Sequence, residues 1–176
     1  MLFAQKDSLI FKKNDIKFDG FSALVFRNYG LTYERIINNK FSAGISILKR
    51  DTKFIKTRLQ DNINNKVLDW QFNPYVRYAF SSVENKNFFY AEIFGSINSL
   101  KTYSLNRYIE NNLAFYKVEK DIQKNIGLGA SIGYKEYFFY NLIFDAQIGF
   151  GLNNNQSENE AATLIPRIGL CLGYNF

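Results

Sequence analysis

The sequence predicts an all-β protein, an eight-stranded antiparallel up-and-down β-barrel that crosses a membrane. Five segments alternate between apolar residues and small or polar residues, which is the period of a β-strand. The connections between predicted strands are short at one end and mostly long at the other, which is typical of outer-membrane barrels. The 176 residues include 18 Phe and 12 Tyr but only 2 Pro, so disordered and Pro-rich classes are excluded.

Eight strands are predicted along the chain. The five clearly alternating segments are 41–49, 68–80, 126–134, 141–153 and 166–176. In the last of these, the even positions from Pro166 to Phe176 are apolar, and the odd positions are small or polar. Three segments of weaker contrast, 16–27, 30–37 and 88–98, complete the set. Segments of this length match the roughly 9–11 residues that a tilted strand needs to cross the hydrocarbon layer.

The predicted connections differ in length. Those at 38–39, 82–86 and about 137–140 are compact, whereas those at 50–66, 102–123 and 153–162 are long. The first, around 28–30, is short and breaks the pattern. Within 102–123, apolar residues tend to occupy even positions, as they do in the strand that follows. We therefore expect the flanking strands to continue as a projecting hairpin, with a short helix as the alternative.

The residues of the second face decide which side of the barrel is apolar. Alternation alone fits a soluble lipocalin-like barrel with an apolar interior as well as a membrane barrel with an apolar exterior. Gly, Ser, Asn, Asp and Arg on the second face favour a narrow polar lumen and an apolar exterior. Aromatic residues cluster at the short-turn end and predict a membrane-interface girdle, with core aromatics of a soluble sheet as the alternative: Tyr134, Tyr137, Phe138, Phe139, Tyr140, Tyr174 and Phe176.

Several short stretches carry a resemblance to known proteins. Leu172, Tyr174 and Phe176 resemble the C-terminal signal that outer-membrane barrels present to their assembly machinery. The chain is also similar to small barrels of a Gram-negative outer-membrane family of unknown function. That similarity lies in 31–35 (LTYER), 74–78 (PYVRY), 127–135 (GLGASIGYK) and the closing segment. It implies an eight-stranded barrel in the bacterial outer membrane, and it implies no activity.

Charged residues on the predicted inward face form the first candidate site. An eight-stranded barrel is just wide enough to be filled by its own side chains. Because buried charges must be paired, we expect a structural network in which Arg77 and Arg167 each bind a carboxylate. A proton- or ion-conducting file, and hence a narrow pore, is the alternative. The predicted inward charges are Glu34, Asp69, Arg77, Glu92, Asp145 and Arg167.

The composition argues against an enzyme. The chain has no His and one Cys, Cys171, so His-dependent nucleophile activation and Cys-based metal clusters are excluded. No Asp/Glu group has calcium-loop spacing, and Gly127-Leu128-Gly129 belongs to a predicted strand rather than a phosphate loop. We therefore predict no catalytic residue, no metal and no cofactor.

A basic stretch beside the first long connection is the second candidate site. Lys49, Arg50, Lys53, Lys56 and Arg58 contribute to the net charge of +6 and are opposed locally only by Asp51. At the outer rim of a barrel they would meet lipopolysaccharide phosphates; a solvated loop without a partner is the alternative. No nucleic-acid-binding motif accompanies the charge, so nucleic acid is not predicted as a partner.

The predicted organisation is one barrel domain, 14–176, preceded by 1–13. Leu2-Phe3-Ala4-Gln5 is similar to the end of a signal peptide, so 1–13 is interpreted as a signal-peptide remnant and periplasmic segment, with an ordinary N-terminus as the alternative. The predicted function is a non-enzymatic structural or interaction component of the outer membrane. Such a component could be an accessory subunit of an envelope complex that contacts its partner through 102–123. The alternative function is a soluble carrier of a hydrophobic ligand.

Overall fold

Eight antiparallel strands, hydrogen-bonded in chain order, close into a barrel through β1 and β8. The structure is a computed structural model that describes residues 12–51, 67–110, 113–138, 141–154 and 163–176. The predicted eight-stranded antiparallel barrel is confirmed. The strands are β1 Asn14–Asp19, β2 Asn28–Ile36, β3 Phe41–Arg50, β4 Val67–Ala79, β5 Asn87–Glu110, β6 Leu113–Phe138, β7 Leu142–Asn154 and β8 Thr163–Asn175.

The two faces of the barrel wall differ as the alternation predicts. Even-numbered residues of β8 point outward, and Leu172 keeps 61% of its surface exposed. Odd-numbered residues of the same strand, such as Arg167 and Asn175, are buried inside. The same division holds along β7, where Ile148 is exposed and Asp145 is buried. The exterior is therefore an apolar surface, and the interior is polar and charged.

The first predicted strand, 16–27, is wrong in its second half. β1 ends at Asp19 and is followed by a helix, α1 Gly20–Phe26. Asp19 caps this helix, since its carboxylate accepts a hydrogen bond from the Ser22 backbone N–H (2.9 Å). Arg27 ends it in the left-handed conformation (φ 50°). None of the helices in the described ranges has both the length and the apolar character needed to span a membrane.

The helix also shows that the first connection was predicted with the wrong length and position. The chain between β1 and β2 is not a short turn at 28–30 but the eight residues 20–27, and 28–30 belong to β2. This connection lies at the end of the barrel that holds the other long connections. The opposite, short-turn end holds the connections 37–40, 80–86 and 139–141 and the start of β1, and 80–86 includes a 3₁₀-helix, Val83–Asn85.

A cluster of apolar side chains also packs in the interior at the short-turn end. Ile36, Ala79, Val83 and Phe88 are buried there together with Tyr90, and Tyr137 packs against them. Tyr137 was predicted to lie in the outer aromatic girdle, and this is wrong: it occupies an odd, inward position of β6, and its hydroxyl donates to Asp15 (2.9 Å). Tyr134, Tyr174 and Phe176 do point outward, whereas Phe139 and Tyr140 lie outside the described residues.

β5 and β6 extend far beyond the described parts of their neighbouring strands. They pair without interruption from Asn87↔Glu136 to Glu110↔Leu113. Among the described residues, β4 pairs with β5 as far as Lys101, and β7 pairs with β6 from Ile126. Residues 102–110 and 113–123 therefore form the predicted hairpin arms rather than a short helix, and nine residues of extended strand span about 30 Å.

Candidate functional site

Eight charged side chains form one connected group inside the barrel, which we call the ion cluster. They come from seven of the eight strands, because each strand of a barrel directs alternate residues to the centre. All eight are buried. The members are Asp15 and Lys17 from β1, Glu34 from β2, Arg77 from β4, Glu92 from β5, Lys135 from β6, Asp145 from β7 and Arg167 from β8.

Arg77 joins three carboxylates, whereas the sequence predicts that it binds one. Its Nε lies 2.6 Å from Glu92, and its Nη1 lies 2.6 Å from Asp145 and 3.0 Å from Glu34. Its Nη2 donates to the side-chain oxygen of Gln147 at 3.0 Å. Each guanidinium nitrogen of Arg77 is therefore bonded, and the side chain links four strands.

Glu34 is the most heavily bonded carboxylate of the cluster. Lys17 Nζ lies 2.6 Å from Oε2, and Lys135 Nζ lies 2.9 Å from Oε1. The Ser42 hydroxyl donates to Oε1 at 2.6 Å, which brings β3 into the same network. With Arg77, Glu34 thus contacts three cations, and Lys17 also contacts Asp145.

The remaining members extend the cluster toward both ends. Arg167 Nε lies 2.5 Å from Glu92, and Lys135 pairs with Asp15. Asp15 also accepts from the Asn175 side chain at 2.7 Å, beside the point where β1 and β8 close the barrel. Every carboxylate of the cluster therefore has at least one cationic partner within the described residues.

The charges of the cluster balance. Four carboxylates face four cations, so the group is neutral when all are ionised. An isolated charge at this depth would be strongly unfavourable, and pairing offsets that desolvation only when the remaining hydrogen bonds are also made. Within the described residues, every charged group of the cluster has at least one partner of opposite charge, so the geometry holds strands together. Within the described part of the chain, no group of His, Cys, Asp and Glu residues is arranged to bind a metal.

Aromatic rings surround the cluster, and glycines make room for them. The Arg77 guanidinium lies over the rings of Tyr75 and Tyr90, and Arg167 lies over Phe94, 4.8 Å from its centroid. A Cβ on Gly133 would come within 2.4 Å of the Tyr90 ring, and one on Gly44 within 2.6 Å of Tyr75. The inward glycines of the sequence are therefore needed for close packing inside a narrow lumen.

Uncharged polar side chains line the interior nearer the long connections. Gln71 donates to Asn73 (2.9 Å), and Asn98 donates to Asn153 (2.8 Å). Ser96 accepts from both Gln71 and Asn98. The buried amide of Asn125 makes no hydrogen bond with the described residues. This part of the interior differs from the ion cluster because its polar groups are neutral and one of them, the Asn125 amide, lacks a partner among the described residues.

Five of the six charged residues predicted to point inward belong to the ion cluster. The prediction is wrong for Asp69, because β4 has a bulge between Leu68 and Trp70 that reverses the parity of the strand there. Asp69 instead contacts Lys49 and Lys101, each at 2.8 Å, which occupy outward positions of β3 and β5 near the long connections. The sequence reasoning missed Asp15, Lys17 and Lys135. Their signal was present, because Asp15 and Lys17 alternate with Ile16 and Phe18, and Lys135 continues the glycine register of β6.

The other predicted site residues are partly described. Lys49 is half exposed, and Arg50 Nε donates to Asn28 at 2.6 Å. Lys53, Lys56 and Arg58 lie outside the described residues. Leu172, Tyr174 and Phe176 form one outward row on β8, and the backbone N–H of Phe176 donates to Asn14 at 2.8 Å.

The chain is similar to a solved structure, the N-terminal β-barrel domain of OprF from Pseudomonas aeruginosa, with 13% sequence identity and a TM-score of 0.49. The similarity covers 93% of this chain and 96% of that one. No protein-family model and no curated protein matches the chain. The resemblance to the outer-membrane family of unknown function therefore stays a prediction, and the fold assignment rests on the strand pairing.

Proposed function

We propose that this protein is a non-enzymatic barrel of a bacterial outer membrane, with a lumen plugged by the ion cluster. The observation that carries the proposal is the orientation of the wall. Exposed apolar side chains cover the exterior at mid-strand, such as Ile93, Ile132 and Ile148, while charged groups fill the centre. Water favours the reverse arrangement, whereas lipid requires this one.

The ion cluster is proposed to fix strand register and to block flow. A conducting path requires groups that bind ions weakly enough to release them. Here the charged groups are engaged with one another, and Arg77, Tyr75 and Tyr90 occupy the centre. The pore alternative predicts unitary currents in planar bilayers, whereas the plugged barrel predicts none.

The soluble-carrier alternative requires the opposite orientation. A lipocalin-like barrel holds an apolar ligand among inward apolar residues. In this barrel Leu170 and Leu172 point outward, and the described interior is dominated by charged and amide side chains. A detergent-free monomer that takes up a fluorescent fatty acid would restore this alternative.

The surfaces at the two ends of the barrel are proposed as contact sites. The hairpin beyond Lys101 projects past the described parts of its neighbouring strands and is the proposed contact with an envelope protein complex. Lys49 and Arg50, with the basic residues that follow them, are proposed to meet lipopolysaccharide phosphates. The row Leu172, Tyr174 and Phe176 is proposed as the signal recognised by the barrel assembly machinery.

Two experiments test this function. Folded membrane barrels migrate differently on gels before and after boiling, so detergent-dependent solubility with a heat-modifiable band is expected; a soluble, heat-insensitive monomer would contradict the proposal. Purification from native membranes in mild detergent, with wild type compared with a chain lacking 102–123, tests the partner. The proposal expects a co-purifying envelope protein that the shortened chain loses.

A further inference from the structure

The barrel wall is incomplete next to β1. β1 has 6 residues, whereas β8 has 13. β1 pairs with β8 only from Asp15↔Asn175 to Asp19↔Cys171. Within the described chain, no strand pairs with this edge of β8 over residues 163–170. The helix α1 lies beside that edge and beside the start of β2 instead of continuing the sheet.

The backbone of β8 shows which groups face this gap. Phe176 exchanges both backbone hydrogen bonds with Asn14 in β1, whereas the Asn175 N–H donates toward β7, to Asn141. By alternation, the even residues Leu164, Pro166 and Ile168 direct their backbone polar groups toward the gap. Pro166 has no N–H, which suits an edge that lacks a partner strand.

An unpaired strand edge is unfavourable at membrane depth. Non-helical backbone is tolerated there only where it is buried in protein or lines a polar cavity. A cavity of about 320 Å³ adjoins this edge. It is lined both by the outward residues Leu164 and Ile168 and by the inward residues Ile165 and Arg167. The cavity therefore adjoins both faces of β8 beside α1.

A groove on the outer surface adjoins this cavity. It has a volume of about 940 Å³, is lined in part by Phe21 of α1, and shares Gln147 and Ile168 with the inner cavity. Apolar side chains line it toward the short-turn end: Ile132, Tyr134, Ala146, Ile148, Leu170, Phe89 and Phe80. The inner cavity and the groove therefore adjoin each other at Gln147 and Ile168.

The inner cavity and the outer groove differ in chemistry. The cavity offers the amides of Gln71, Asn73, Asn98 and Asn153 and the guanidinium of Arg167. Arg167 uses Nε for Glu92, so among the described residues its Nη groups have no hydrogen-bond acceptor. The groove is apolar. A ligand that satisfies both has a polar head with hydrogen-bonding oxygens and an acyl chain.

We propose that the opening between β8 and α1 binds a membrane amphiphile, with its polar head in the inner cavity and its acyl chain in the outer groove. The head would supply partners for the exposed edge of β8 and for Arg167. The volume of the inner cavity lies at the lower end of the roughly 300–1,000 Å³ of small-molecule sites. This proposal rests on the membrane location proposed above.

Photocrosslinking tests the opening directly. The photoreactive residue p-benzoylphenylalanine is placed separately at three isoleucines, and each variant is illuminated in palmitoyl-oleoyl-phosphatidylcholine vesicles. Ile165 is inward and lines the cavity, Ile143 is inward but fully buried, and Ile93 is outward and exposed. Intact-mass spectrometry then counts adducts of one lipid. Leu48, which also lines the cavity, is a second inward site if the Ile165 variant does not show heat-modifiable folding.

The expected result is lipid adducts at Ile93 and Ile165 and none at Ile143. Adducts at Ile93 with none at Ile165 and Leu48 would overturn the opening while leaving the membrane barrel intact. Crosslinks from Ile165 to the protein itself would also overturn it, since the chain would then fill the cavity. Absence of adducts even at Ile93 would contradict the membrane location on which the proposal rests.

Discussion

The guanidinium carbon of Arg77 lies 4.1 Å from the centre of the Tyr90 ring. The Tyr90 hydroxyl donates to Asp145 at 2.6 Å, so this ring both stacks on the cation and hydrogen-bonds one of its carboxylate partners. Tyr75 covers Arg77 from another side, at 4.7 Å. Arg77 is thus enclosed by rings and carboxylates, and cation–π contacts are stronger in such a desolvated setting.

Removal of Arg77 is expected to destabilise the barrel strongly. Arg77→Met keeps an unbranched apolar stem but leaves Glu34, Glu92 and Asp145 with one cation fewer. Breaking a buried ion pair from one side costs about 3–5 kcal/mol. Urea unfolding in phosphatidylcholine vesicles, followed by tryptophan fluorescence, measures this loss.

The matched control is an ion pair at the rim. Lys49→Ala removes a half-exposed cation from Asp69, which keeps Lys101 at 2.8 Å. Exposed ion pairs contribute roughly 0–1 kcal/mol, so this variant should unfold close to wild type. If Arg77→Met were no more destabilised than Lys49→Ala, the ion cluster would have no structural role.

Glycine positions provide a second pair of variants. In Gly133→Ala, the new Cβ would lie 2.4 Å from the Tyr90 ring, which its bond to Asp145 holds in place. Overpacking of this kind costs about 1–3 kcal/mol. Gly95→Ala meets only Pro74, at 3.5 Å, which is an ordinary contact. Equal unfolding free energies for the two variants, measured under the same conditions, would argue against a closely packed lumen.

The outer face gives a prediction about lipid. Ile148→Arg places a charge at the middle of β7, on the exposed apolar side. Arg at the bilayer midplane costs about 2–4 kcal/mol, falling to roughly 0–1 kcal/mol near the interface. Asn154→Arg, at the end of the same strand, is therefore the control and should be nearly neutral. Equal losses of folding free energy would contradict the proposed depth of β7.

The terminal aromatic residue tests the assembly signal. Phe176→Ala removes the ring but keeps the backbone bonds to Asn14, which deletion of the residue would also remove. We expect slower appearance of the heat-modifiable folded band in vesicles containing the barrel assembly machinery, and near-normal rates for Phe176→Tyr. Wild-type kinetics for Phe176→Ala would exclude the ring as part of the signal.

The faces of the wall could be predicted from the sequence because alternation is a local property. The outward orientation of Ile148 and Leu172 could be predicted from the parity of their strands alone. The helix α1 could not be found this way, since Phe18 and Gly20 continue the even register of β1. The helix depends on the Asp19 cap and on Arg27 in the left-handed region, which short polar–apolar patterns did not distinguish from a strand.

The partners inside the ion cluster depend on the whole barrel. Parity places Arg77 and Asp145 on the inner face, but they are 68 residues apart in sequence, and the barrel closure brings them together. The burial of Lys17 and Lys135 in the ion cluster is harder still to predict, because long charged side chains usually lie in water. The opening beside β8 needs the register of β1, which no pattern within one strand reveals.

Spin-label accessibility tests the central claim most directly. Nitroxide labels at Ile148, Leu170 and Ile143, introduced one at a time into a Cys171→Ala chain in phosphatidylcholine vesicles, report contact with oxygen from the bilayer and with a water-soluble nickel chelate. An apolar exterior around a plugged polar interior predicts high oxygen collision rates at Ile148 and Leu170 and low rates at Ile143, which is inward and fully buried. Chelate contact at Ile148 and Leu170 in place of oxygen contact would contradict the membrane orientation.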